Sequence, residues 1–517
     1  MPAPAIPPSV LTSLAIANSG GAIIGATPGS QRIAVPVPSV FSTSDMFLPS
    51  DIKFTSLDGG LGSCDYTYCN YTAEQIFDLK STARSSPANT YWVDPVSGSD
   101  SNAGTEAANF QTLGKAIATG SAAASPFKVR LKGGGAYTQD AVKTKNFTNN
   151  SSSTTYDSVV DFCVEFYNGV SVISSHADFA TPSLYTGASY TYAIANTIAD
   201  NVVDRALLDE NGWDTPMNWV PFVASGDLPP GNNWSTDGTT VLIRRADMAP
   251  VTNLNTRIFD QVRNFRLTNN ISVGLFPATD NDSLVVIGGG AMNGPIDMLV
   301  SSSVTDKTPR AFVAKNVTAL SYNKRGSGSG RCWSIDGLHG IVWLENCWAG
   351  HAKTDHFNFH CTRGALGTGA QSGVNQRVVM LNCHGDKAGI DLRPLGLTQQ
   401  NSCNGPTAHE DVKGFSLGGS YGHTSGGTLR NIGSTKWFTA GEMFQDFGER
   451  STGSTLRPTA IRAQDAADIY VFRPKFGLMP SNSYSLVNAG TGVVAKKDVF
   501  PSVCQTTGTI TDGYQAA

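Results

Sequence analysis

Charge is what this chain has least of. Asp, Glu, Lys and Arg make up 15% of its 517 residues, against roughly 25% in an average soluble domain. Salt-bridged amphipathic helices are poorly supplied by such a composition. Ser, Thr, Asn and Gly take the place of the missing charge, and Gly alone accounts for 54 residues. These residues suit turns and stacked, hydrogen-bonded side chains. Lys/Arg runs are absent and the formal net charge is −4, which makes nucleic acid and anionic membrane poor partners. No apolar run reaches the roughly 18 residues of a membrane-spanning helix, so no membrane insertion is expected. The opening MPAPAIPPSVLTSLAIANSGGAIIGATPG has no basic n-region and is broken repeatedly by Pro, so synthesis in a cytoplasm without signal-peptide export is expected. Cysteine is scarce and odd in number, nine in all, which argues against a disulfide framework. Cys64 and Cys69 in CDYTYC have no CxxC partner, so neither a metal nor another cofactor is expected.

Long helical periods are also missing, and that absence narrows the fold. Residues 1–50 read as an extended arm, rich in Pro, Ala and Ser. Residues 51–90 read as a capping segment whose stretch AEQIFDLKSTA (73–83) carries the best helical period. From residue 90 onward, short alternating strands separated by Gly/Asn/Ser turns take over, as in DSVVDFCVEFYNGV (157–170). Almost nothing between residues 270 and 480 is long enough for a helical crossover. An all-β sandwich, barrel, propeller or solenoid remains. An internal repeat favours the solenoid: VWLENCWAGHAKTD (342–355) lies over VVMLNCHGDKAGID (378–391) at an offset of 36 residues, matching Asn346 to Asn382, Cys347 to Cys383 and Asp355 to Asp391. Stacked in register, Cys347 and Cys383 are expected as free thiols of an inward ladder. Asn346 and Asn382 are expected as a turn ladder bonded along the axis.

At this point the sequence resembles a known family. YWVDPVSGSDSNAGTEAANFQTLGKAIA (91–118) is similar to the opening motif of right-handed parallel β-helix proteins of the pectate-lyase-like superfamily. NNWSTDGTTVLIRR (232–245) and DHFNFH (355–360) resemble further elements of it, with His356 where that pattern has Gly. The resemblance implies a right-handed parallel β-helix over 91–478, followed by a β-rich tail over 479–517. With the proline-rich arm, the layout resembles a bacteriophage tail spike. That implies a virion tail protein made in the host cytoplasm, a homotrimer that contacts other tail proteins through its arm and binds or depolymerises a bacterial surface polysaccharide. Glycoside hydrolase, polysaccharide lyase, non-catalytic virion fibre and bacterial pectate-lyase-like enzyme all remain open.

Seven of the eight histidines lie between residues 339 and 423, three of them in HAKTDHFNFH (351–360). Parallel strands lie ~4.8 Å apart, so residues equivalent in successive coils are stacked neighbours. Asp355, Asp391, Glu410 and Asp411 are therefore the candidate acids, bases or nucleophile, with His356 and Arg393 tuning them or orienting an anionic sugar. Trp348, Lys353, His360, Lys387 and His409 are candidate substrate contacts. The competing reading makes the aspartates turn caps and the histidines surface residues.

Overall fold

The computed structural model describes residues 32–60, 63–134, 142–143, 156–174, 179–195, 199, 201–259, 265–288, 294–322, 330–363, 373–389, 404–445, 459–477, 483–497 and 506–516. The protein is nearly all β and is dominated by large parallel sheets, among the described residues one of 19 strands and one of nine. The 36-residue repeat is realised as strand pairing: Val342 pairs with Val378 and Trp348 with His384, both in parallel.

The long sheet has two legs joined by a bend. At successive bends Asn316, Asn346 and Asn382 adopt φ of +56°, +52° and +53°, a left-handed conformation that Asn tolerates better than most residues. The Asn346 amide donates to Asn316 at 3.5 Å, as a ladder requires. Asn382 departs from the expectation. Its amide group exchanges two hydrogen bonds with the backbone of Thr67, at 2.8 and 2.9 Å. At the next bend Gly419 (φ +91°) is obligatory, because a Cβ there would lie 1.9 Å from the Cys383 carbonyl oxygen. Cys347 and Cys383 are buried free thiols, donating to the carbonyls of Ala314 and Leu344.

Period-two alternation sorts the first leg into two apolar faces. Phe312, Val342, Val378, Gly414, Trp437, Ile469 and Val494 pair in sequence and form one column of the interior core. Trp437 fills the space above Gly414, where a Cβ would lie 2.5 Å from its ring. The opposite column, Val313, Trp343, Val379, Phe415 and Phe438, faces outward and is covered by the N-terminal segment. Strands Arg32–Ala34, Phe54–Leu57 and Tyr66–Cys69 form an antiparallel sheet there. Phe41 and Phe54 meet Phe415 edge-on at 5.0 and 5.9 Å. Helix α1 (Ala73–Asp78), held by a Thr72/Gln75 capping box, buries Ile76 and Phe77 on the same face. Residues 32–50 are thus docked, not an extended arm, because the sheet face beneath them is apolar. Residues 1–31 lie outside the described residues. Asn382→Ala is expected to lower stability by about 1–3 kcal/mol through its two lost bonds to Thr67, read as a lower thermal midpoint.

Helix α1 lies on the flank of the sheet and caps no end. The end is closed by helix α2 (Leu113–Ala122), which begins inside the motif 91–118. Asp100 accepts from the Thr112 N–H at 2.9 Å and hydroxyl at 2.7 Å, and Thr112 in turn caps the helix. Leu113, Ala116 and Ile117 then pack on Val93, Phe110 and Phe127. At the other end, Tyr484–Asn488 and Val494–Lys497 extend both parallel sheets, so the tail expected over 479–517 continues the stack.

One insertion interrupts the stack. Between Val170–Ser174 and Val273–Pro277 the chain forms two smaller, mainly antiparallel sheets. The family-like stretch 232–245 belongs here. Thr240–Arg244 makes an antiparallel hairpin with Asn233–Thr236, because Asp237 accepts from the Thr239 and Thr240 N–H groups, both at 2.7 Å, and closes a tight turn. The insertion rests on the second leg through Val203, Trp213 and Phe259 against Val285, Leu320 and Tyr322.

Candidate functional site

The nine-stranded sheet positions the site. In Trp333–Asp336 and Phe357–His360, Trp333, Ile335, Phe357 and Phe359 point into the core, so Ser334, Asp336, Asn358 and His360 share the opposite face. Ser334 pairs with Asn358 and Asp336 with His360. Asn358 pairs with Thr407, Thr407 with Arg430, and Arg430 with Arg462. A polar column thus runs along the outer face, one residue per rung.

Four carboxylates gather around this column. Asp336 is fully buried. Burial, reinforced by Asp297 and Glu410 and opposed by Arg331, pushes it up to about 8, so it is protonated at neutral pH. Asp355 accepts from the Asn358 and Asn404 amides, both at 3.0 Å, and from the Asn404 N–H at 3.2 Å. Burial raises its pKa as well, against the pull of Arg331. Glu410, at φ +55°, turns its carboxylate onto His360 Nδ1 at 3.1 and 3.2 Å and accepts from the Cys361 N–H at 3.2 Å. It too is raised by burial, but its side chain keeps 25% of its exposure. The rings of His360 and His409 stack at 4.0 Å, 9° from parallel. Burial lowers both, His409 to about 2, and keeps both neutral.

His360, His409 and Glu410 each offer a ligand atom, all within 4.8 Å of one another. Parallel rings aim their lone pairs side by side, not at one point, so this trio suits orientation of Glu410 better than a cation. A second set, Glu210, Asp386 and His423, already holds the ammonium of Lys387, 3.0 Å from Glu210.

Of the residues expected from sequence, Asp355, His360, His409 and Glu410 come together here. Asp391 and Arg393 lie outside the described residues. His356 is fully buried against Gly385 of the second leg, where a Cβ would lie 2.5 Å from its Nδ1. Asp411 is exposed, its backbone carbonyl accepting from Arg377. Trp348 sits on the second leg, stacked on His384 at 4.4 Å and meeting Trp213 of the insertion edge-on. Lys387 belongs to the same seam and pairs with Asp209 at 2.6 Å, where His351 also bonds. The half-buried Lys353 donates its N–H to Gly330. Sequence reasoning missed Asp336, Asp297, Arg331 and the arginines of the column. The available signal was the WSID/FNFH match, at an offset of 24.

No family model matches the chain, and no curated protein matches it. Among solved structures it is similar to one named as a glycoside hydrolase (8% identity, TM-score 0.37, covering 82% of this chain and 95% of that one). It is also similar to XylC in complex with xylose (11% identity, TM-score 0.44, covering 82% and 70%). A third is the Gp54 tailspike of Acinetobacter baumannii bacteriophage AP22 in complex with capsular saccharide (11% identity, TM-score 0.19, covering 75% and 67%).

Proposed function

We propose that the chain is a right-handed parallel β-helix, that it serves as a homotrimeric tail-spike-like virion protein, and that it binds and hydrolyses a bacterial surface polysaccharide at the outer face of the nine-stranded sheet. The two parallel sheets, with one rung per 16 to 49 residues outside the insertion, support the β-helix. Virion location, trimer and tail partners rest on the sequence resemblance alone.

One observation carries the chemistry: Asp336, which burial keeps protonated at neutral pH, shares a face with the partly exposed Glu410. Asp336, neutral up to about pH 8, is suited to protonate the glycosidic oxygen as the bond to the leaving sugar breaks. Glu410, aligned by His360 and the Cys361 N–H, is suited to take a proton from the attacking water. The Glu410 strand lies two rungs from that of Asp336, and its carboxylate reaches back to the rung of His360 and Cys361, which pairs with Asp336. Inversion needs about 6.5–9.5 Å between the two carboxyls to leave room for that water, and retention about 5–5.5 Å. Asp355 and Arg331 are positioning residues. NMR of the first product is expected to show the anomer opposite to the bond cleaved, with new reducing ends and no absorbance near 235 nm. Retention would move the nucleophile's role elsewhere, and absorbance near 235 nm would mean elimination.

A second reading has its own observation. Asp336 has no exposed surface, as it would in a fibre that binds glycan without cutting it. Under the catalytic reading the cover over Asp336 parts when glycan enters over Glu410. Binding without new reducing ends would decide for the fibre.

A further inference from the structure

Charges on adjacent rungs of this protein find an opposite charge, either across the rung or, for Arg377 and Lys413, in Asp45 of the N-terminal segment. Arg130 lies in register with Glu165, Lys315 with Glu345 and Lys436 with Asp468, and each forms an ion pair. The polar column breaks that rule once. Arg430 and Arg462 are in register on neighbouring strands, with Leu429, Ile461 and Ala463 pointing the other way into the core. Their backbones are thus one strand spacing apart, ~4.8 Å, and the charge of Arg462 acts on Arg430. Arg430 donates to the Gln464 amide at 2.9 Å, a neutral partner, and Asp355 and Asp465 act on it from beyond ion-pair distance. Arg462 has no hydrogen bond or ion pair among the described residues, and the Nε of each arginine is buried without an acceptor. Both are half-buried, so solvent screens them incompletely.

We propose that Arg430 and Arg462 form a subsite for an anionic substituent of the glycan, a carboxylate or a phosphate, held by the two guanidinium forks. The inference rests on the reading of this face as the glycan groove and adds the class of substrate to it. Thr407 and Asn358 link the arginines in unbroken register to Ser334, and Asp336 and His360 lie two residues further along the same strands, on the same face. A chain laid along the column would therefore carry its charged sugar three to four rungs from the acid. A planar fork takes a carboxylate or phosphate with two parallel hydrogen bonds, which an ammonium does not.

The test uses the full chain and purified capsular polysaccharides of known repeat: uronate-bearing, phosphodiester-bearing and uncharged. The anionic polymers are expected to bind, with carboxyl reduction abolishing binding of the first kind if the substituent is a carboxylate and leaving the phosphodiester kind bound if it is a phosphate. Arg462→Gln and Arg430→Gln are each expected to raise Kd about tenfold or more and to flatten its salt dependence, with Arg462→Lys in between. Melting curves check folding. Should Arg430→Gln melt early, Arg462→Gln carries the test. Wild-type Kd in a folded Arg462→Gln, or equal affinity for uncharged polymers, overturns the subsite. Cleavage of an uncharged polymer that ignores both variants overturns it too, while sparing the Asp336/Glu410 reading. Arginine-dependent binding without new reducing ends does the reverse, and no binding to any polymer overturns both.

Discussion

Asp336→Asn is expected to lower kcat for glycan cleavage by about 10²–10⁴-fold and at the same time to raise the melting temperature at pH 8. Both effects come from the same burial. A carboxyl group sealed beneath Arg331, with Asp297 and Glu410 as negative neighbours, keeps its proton up to about pH 8, whereas in the unfolded chain it releases it near 3.8. Between those values the unfolded state binds fewer protons, so stability falls as pH rises. The slope is about 1.4 kcal/mol per pH unit from this group. The amide removes that slope together with the acid. Activity depends on the neutral form, so the wild-type rate is expected to fall as pH rises through about 8. Glu410 acts ionised, and burial raises it above 4.5, so the rate also falls on the acid side at a pH above that value. Glu410→Gln is expected to lose a comparable factor in kcat. If Asp336→Asn kept full cleavage activity, the acid would have to be sought elsewhere on the face.

How much of this was legible in the sequence depended on which sheet a residue belongs to. The 36-residue repeat was readable because bends at Asn346 and Asn382 lock the two legs of the long sheet into one spacing. Its bends, thiols and core columns followed from that register. The nine-stranded sheet keeps no such spacing. Asp336 lies 24 residues before its neighbour His360, and Asn358 lies 49 before Thr407, since loops of different length intervene. The single 36-residue offset therefore marks Asp355 and leaves Asp336 unmarked. Trp348 and Lys387 were credible as substrate contacts because nothing local reveals that the insertion returns to cover them. Trp213 and Asp209 lie well over 100 residues away in the chain. The same holds for the N-terminal segment, whose apolar residues, such as Phe41 and Phe54, have no period but match an outward column of aromatics.

The interior holds a second neutral acid, and its replacement is expected to change stability more than any surface substitution. Glu442 is fully buried and accepts from Ser416 at 2.9 Å and from the Thr439 hydroxyl. Trp437 donates its indole N–H to the same Ser416 oxygen at 2.9 Å. Burial pushes Glu442 up to about 8, against the hydroxyls that favour its ionised form. Glu442→Gln keeps the shape and an oxygen that can accept from both hydroxyls. It is expected to unfold at a higher temperature than wild type at pH 8, with the gap closing towards pH 4.5, where the unfolded acid also holds its proton. Glu442→Ala leaves Ser416 and Thr439 without an acceptor and opens a cavity beneath Trp437, at a cost of about 2–5 kcal/mol. Glu442→Lys places an unpaired ammonium in the core and is expected to prevent folding of the last rungs. Thermal scans of the first two variants from pH 4.5 to 8 separate the electrostatic term from the packing term. A Glu442→Gln protein whose midpoint tracked wild type at every pH would show that Glu442 is ionised in the core.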